Sequence, residues 1–155
     1  MEEMIWFLRI LFIFLTVLGI SAITKSNSEI VRSTTTSAKY EPATKLLLQN
    51  YIPRLIRLPL PREDIAVKYL GEDLHLIVEE VIPNEKISWR LEGFQNYLHL
   101  REEYKFQTVE NNVQVEARAE LIPKPGFVSR FILLFFGDST LSGLLDKSLN
   151  SLPKP

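Results

Sequence analysis

Apolar residues run almost without a break from Ile5 to Ile23 (IWFLRILFIFLTVLGISAI), with Arg9 the one charge among them. As a helix this run is about 28 Å long, close to the hydrocarbon thickness of a bilayer. It opens on Met-Glu-Glu instead of the positive charge of a secretory leader, and Ser21-Ala22-Ile23 is a poor cleavage site. The expectation is therefore an uncleaved anchor over residues 1–24, placing the chain at a membrane as a single-pass protein. Arg9 lies near the N-terminal end and can snorkel to the interface. The charges flanking the span are too balanced to orient it.

Beyond the polar linker 25–28 (KSNS) the period changes to two. Glu29 to Ala38 (EIVRSTTTSA) alternates and is β-branched, which predicts a strand. Glu41-Pro42 opens a short helix continuing through Ala43 to Tyr51. Pro53, Pro59 and Pro61 then break the chain, leaving Ile52, Leu55, Ile56, Leu58 and Leu60 in a loop expected to act as a lid. Five strands follow, with turns between them: Ile65 to Leu70, Leu74 to Val81, Lys86 to Glu92, Tyr97 to Val109 and Val113 to Ile122. In the last strand Val113, Val115, Ala117, Ala119 and Leu121 alternate with Gln114, Glu116, Arg118 and Glu120, so one face of the sheet is dry and the other wet. After Pro123-Lys124-Pro125-Gly126, Phe127 to Leu152 has helical spacing, with Phe127, Phe131, Leu134, Phe135, Leu141, Leu145 and Leu149 near one stripe.

Composition narrows the function classes. The chain has 155 residues, 18 basic and 19 acidic, and the part after Thr24 is neutral with 17 of each sign. Such a surface has no long-range field for a polyanion, so nucleic acid is not expected as a partner. With no cysteine, a disulfide scaffold and thiolate chemistry are excluded. About 130 residues remain for one domain, enough for a core without such staples. His75 and His99 stand alone on separate strands, the glycines are scattered, and no nucleophile elbow occurs. No catalytic residue, cofactor or metal is expected.

The order of strand, short helix, five-strand meander and long helix resembles the START-like (SRPBCC, polyketide cyclase/dehydrase and lipid-transport) superfamily. The likeness lies in LIVEEVIPNEKISWRLEG, in the hairpin YLHLREEYKFQTVENNVQVEARAEL and in the final helix after its Pro/Gly break. It implies an α+β helix-grip fold over residues 29–152, with a curved antiparallel sheet of about six strands around the long C-terminal helix and a tail at 153–155. It further implies non-covalent binding of a hydrophobic small molecule or lipid between sheet and helix. A Pro-rich insertion after the first strand and the N-terminal anchor depart from the usual pattern.

Within that frame Glu102 is the most informative polar residue. It shares the apolar phase of Leu98, Leu100, Tyr104 and Phe106, and a carboxyl facing an apolar space must be paired or hold its proton more tightly. The candidate ligand contacts are Glu102, Tyr104, Phe106, Trp89, Tyr69, Leu100, Phe131 and Phe135. Trp89, in phase with Ile87 and Leu91, also suits a plain core role, and Glu102 suits a structural pair or a bulge. The run Phe131 to Phe136 (FILLFF) is apolar all round, so either the sheet wraps it deeply or it also touches the membrane or lines a lipid entrance. Two other readings stay open: a cyclase/dehydratase-type enzyme using Glu102 with a Tyr or His as acid and base, and a membrane-tethered interaction module. A filled interior favours the interaction module.

Overall fold

The computed structural model describes residues 2–155, and side chains from Glu3 onward. Helix α1 (Glu2–Thr24) leads into strand β1 (Ser28–Thr36) and helix α2 (Tyr40–Leu48). Strands β2 (Asp64–Tyr69), β3 (Glu72–Ile82), β4 (Lys86–Glu92), β5 (Tyr97–Val109) and β6 (Asn112–Pro123) form the meander, and helix α3 (Phe127–Asn150) follows. The sheet is wholly antiparallel in the order β1-β6-β5-β4-β3-β2. β1 thus crosses to the far side of β6, and α2 with its following loop returns the chain to the opposite edge.

Helices α2 and α3 lie on one face of this sheet. Leu74, Leu76, Val78, Ile87, Leu91, Leu100, Val115 and Leu121 meet Ala43, Leu47, Leu48, Leu133, Leu141 and Leu145 in one core. Fully burying each large aliphatic side chain contributes about 1.5–3 kcal/mol, and this layer outweighs the marginal intrinsic stability of a helix as short as α2. The other face bears a lattice of ion pairs: Lys86 with Glu80 and Glu103, Arg101 with Glu79, and Arg118 with Glu29.

Two irregularities shift the phase of the strands. Between Val78 and Glu80 the pairing of β3 with β4 slips, so Glu79 is an extra residue and Val81, not Glu80, points back to the core opposite Ile87. A second slip between Tyr97 and His99 turns Leu98 outward, correcting its expected place on the apolar phase of β5. The first strand starts one residue earlier than expected, because Ser28 already pairs with Leu121.

Call proximal the end of the sheet where β1 begins, β6 ends, β5 begins and β2 turns into β3. α1 enters there, and its side chains are almost all exposed. It is long and apolar enough to cross a membrane. α3 meets the same length and composition criterion, but much of its distal half is buried against the sheet.

The stripe expected along α3 needs correction. Its buried face passes through Leu133, Gly137, Leu141, Leu144, Leu145, Ser148 and Leu149, while Phe127, Phe131 and Phe135 lie on the outside. Gly137 marks where α3 meets β1. A Cβ there would stand 2.6 Å from Ser28 Oγ and 3.0 Å from Ser28 Cβ and Leu133 Cδ1, so any larger residue forces these buried side chains to shift. The turns before Gly137 therefore project towards the proximal end with Phe131, Phe135 and Phe136 outward, while Leu133 on their inner side stays buried in the core.

Candidate functional site

Glu102 sits mid-strand on β5, opposite Trp89 on β4 and Ala119 on β6. It is 0% exposed. Three neutral donors hold its carboxyl: the Tyr51 hydroxyl at 2.6 Å and the Trp89 indole N–H at 2.7 Å, both on Oε2, and the Tyr104 hydroxyl at 2.8 Å on Oε1. No cation pairs with it among the described residues. Burial raises its pKa, and the three hydrogen bonds act in the opposite direction without cancelling the rise. The phenols respond in kind: burial, then the charge of Glu102, raises both Tyr51 and Tyr104 well above the ordinary tyrosine value.

Each partner is placed by its element. Tyr104 is two residues along β5 from Glu102, hence on the same face, and its ring stacks on Trp89 with centroids 5.0 Å apart. Tyr51 comes from the turn after α2, where its amide donates to the Leu48 carbonyl at 2.9 Å. Its ring lies 5.0 Å from that of Tyr69, which is half-buried at the end of β2. Asn50 beside it donates to Ser148 Oγ of α3 at 3.2 Å, tying the cover to the long helix.

The structure thus brings together Glu102, Tyr104, Trp89 and Tyr69, with Leu100 buried next to them on β5. Phe106 is further along the strand, edge-on to Tyr40 at 4.9 Å, and borders an open cleft of about 370 Å³ at the distal end. Phe131 and Phe135 do not reach the cluster. Their rings pack on each other at 4.7 Å on the exposed side of α3, which corrects the expectation that they face the sheet. Tyr51 is the member that sequence reasoning left out. Its signal was the spacing Ala43, Leu47, Tyr51, which continues the buried face of α2 past the helix end. His75 and His99 both lie on the outer face of the sheet: His75 is near Asp64, while burial, then the charge of Arg90, lowers His99.

The interior is filled. Trp89, Glu102, Tyr104, Leu47, Leu48, Leu133, Leu141 and Leu145 have no accessible surface, so no water-sized void adjoins them. The cavity expected between sheet and helix is closed by the side chains expected to line it. Its cover is held at the ends, by the Tyr51 and Ile52 amides on the Leu48 carbonyl and by Arg62 and Glu63 on Val78, with Arg57 paired to Glu63. The amides of Arg54 to Leu58 make no backbone hydrogen bond, and Ile56 is 94% exposed. Ile52, Leu55 and Leu58 rest on the core as the lid reading expected, whereas Ile56 and Leu60 face out.

No family model and no curated protein matches the chain. Solved structures do. The chain is similar to the Zhui aromatase/cyclase from Streptomyces sp. R1128, with TM-score 0.55 and 12% identity over 81% of this chain and 90% of that one. A protein from Chromobacterium violaceum gives TM-score 0.58 at 11% identity over 79% and 92%. The Aha1 dimer structure from Colwellia psychrerythraea gives 0.55 at 16% over 81% and 96%. The fold is the START-like helix grip. At these identities the likeness is one of architecture, and within the helix grip the Glu102 cluster occupies the space between the sheet and its gripping helix.

Proposed function

We propose that this helix-grip domain is held at a membrane by α1 and binds a hydrophobic small molecule or lipid, non-covalently, at the Glu102 cluster. The observation behind the reading is a carboxyl buried without a cation in the middle of the sheet, beneath a segment whose middle amides, Arg54 to Leu58, make no backbone hydrogen bond. A buried unpaired acid is costly, and a sheet of this kind needs none for its stability. Relatives in fold include an aromatase/cyclase.

Because the interior is filled, a ligand enters only by displacing the cover. Withdrawing Tyr51 with the loop behind it frees a lone pair on Glu102 Oε2 while Trp89 and Tyr104 keep their bonds. The ligand class that fits is an apolar body with one hydroxyl or N–H donor, replacing the Tyr51 hydroxyl and stacking near Trp89 and Tyr69. Anchorage would keep this opening close to the phase where such molecules dissolve.

The filled interior favours a second reading, a membrane-tethered interaction module whose interior serves stability alone. One experiment separates them. The full chain and Glu102→Leu are purified from the same membrane extract and their retained small molecules compared by mass spectrometry. A hydroxyl-bearing apolar molecule retained by the first and lost from the second supports ligand binding. Equal profiles with both proteins folded reject it in favour of the interaction module.

A further inference from the structure

Outside the site, the most unusual surface is the projecting part of α3. From Phe127 to Phe136 the sequence FVSRFILLFF holds one charge, Arg130. Phe127 is 52% exposed, Val128 67% and Phe136 59%, and Phe131 and Phe135 continue the same side. The rings of Phe127, Phe131 and Phe135 run in series, 5.9 and 4.7 Å apart. At about 1.5 Å per residue, the ten residues before Gly137 extend the helix by roughly 15 Å past its contact with Ser28. Leu70, 79% exposed in the β2–β3 turn, and Leu98 of the β5 slip also lie at this proximal end.

α1 leaves the domain beside this surface. Arg130 donates to the Ile23 carbonyl, Ala22 is fully buried, and Lys25 pairs with Asp138 at 3.9 Å. These contacts turn the one charge of the projecting turns towards α1 and fix the end of α1 against their inner side. The aromatic outer side stays uncovered. We propose that this side of α3, residues 127–136, lies in the interfacial layer of the bilayer that α1 enters, so that the domain docks proximal end down instead of swinging on a tether. The inference rests on the reading of α1 as a membrane anchor. Continuity with α1 selects lipid as the occupant: a face within one helix diameter of a membrane span meets headgroups and acyl chains before anything else, and exposed Phe side chains bury at the headgroup/acyl boundary.

The absence of cysteine makes the test direct. Single cysteines replace Phe12, Val128, Phe136 and Asp146 in the full chain, each carries a nitroxide, and the protein is reconstituted in phosphatidylcholine vesicles. Power saturation then compares access to oxygen, which concentrates in lipid, with access to a water-soluble nickel chelate. The expected result is oxygen-dominated relaxation at positions 12, 128 and 136 and nickel-dominated relaxation at 146. Position 12 in lipid with 128 and 136 in water overturns the docking proposal and leaves the anchor standing. Position 12 in water overturns the anchor and the proposal with it. Spin–spin broadening at 128 and 136, with little access to either reagent, assigns the face to a second copy and overturns the bilayer as its occupant.

Discussion

Tyr51 and Glu102 meet across the layer boundary in a side-chain hydrogen bond of 2.6 Å, which ties the turn after α2 to the middle of the sheet. Removing the hydroxyl leaves ring packing intact and takes one donor from a buried carboxyl. Tyr51→Phe is expected to lower the unfolding free energy by about 1–2 kcal/mol, read as a shift of the urea midpoint at constant slope. A variant as stable as the parent would show that the bond does not tie the cover down.

Glu102→Gln tests the carboxyl itself. Burial raises its folded-state pKa, so between the ordinary carboxyl value and the raised one the folded chain keeps a proton that the unfolded chain has lost. Its contribution is therefore fully present in acid and falls as pH rises through that window, then levels off. Glutamine cannot titrate. The stability of the parent minus that of Glu102→Gln should decline as pH rises above the ordinary carboxyl value, then level off. A flat or rising difference contradicts the raised pKa. Subtraction also removes common contributions of opposite sign, such as Glu103, which Lys86 and Lys105 hold low despite its burial.

Hydrogen exchange reports on the cover. The amides of Arg54 to Leu58 should exchange at close to the rate of an unstructured chain, while those of β5 and β6, paired on both sides, should be among the slowest. If the segment is a lid, adding the ligand slows exchange at Tyr51 and Ile52, whose amides both bond to the Leu48 carbonyl. Protection of Arg54 to Leu58 equal to that of the strands would rule out a loosely held cover.

Gly137→Val is expected to destabilise the domain by about 1–3 kcal/mol, since even its Cβ would stand 2.6 Å from Ser28 Oγ. Gly143→Ala, also on α3 but in open space, should be neutral or gain about 1 kcal/mol from helix propensity. Thermal denaturation of the two side by side checks the pair. Equal midpoints would mean that α3 does not press on β1 where the structure has it.

The helix-grip architecture was largely legible because strands with one wet face write their pattern plainly. β4 and β5 match their expected bounds, and the alternation in β6 names its buried residues one by one. Glu102 was legible for the same reason, as the acid in an apolar phase. Two things were not. Periodicity identifies a helix's apolar residues but not where the opposing layer stops, so Phe131 and Phe135 were assigned to an interior they do not reach. A bulge leaves only a change of phase, such as the step from Val78 to Val81 or the outward turn of Leu98, which a two-residue period read on its own conceals. Whether the space between layers is hollow or full depends on fractions of an ångström at many side chains at once. No spacing rule contains that.

The position of β1 beside β6 also has a consequence in time. Asn27 bonds to Glu120 93 residues away, Ser28 to Asp138 at 110, and Thr36 to Pro153 at 117. During synthesis α1 and β1 emerge well before their partners, so the first strand stays unpaired while the rest of the sheet is made. A hydrophobic helix delivered to a bilayer at that stage would be committed before the domain closes. The sheet would then close last between β1 and β6, on a first strand already fixed in place by the helix before it.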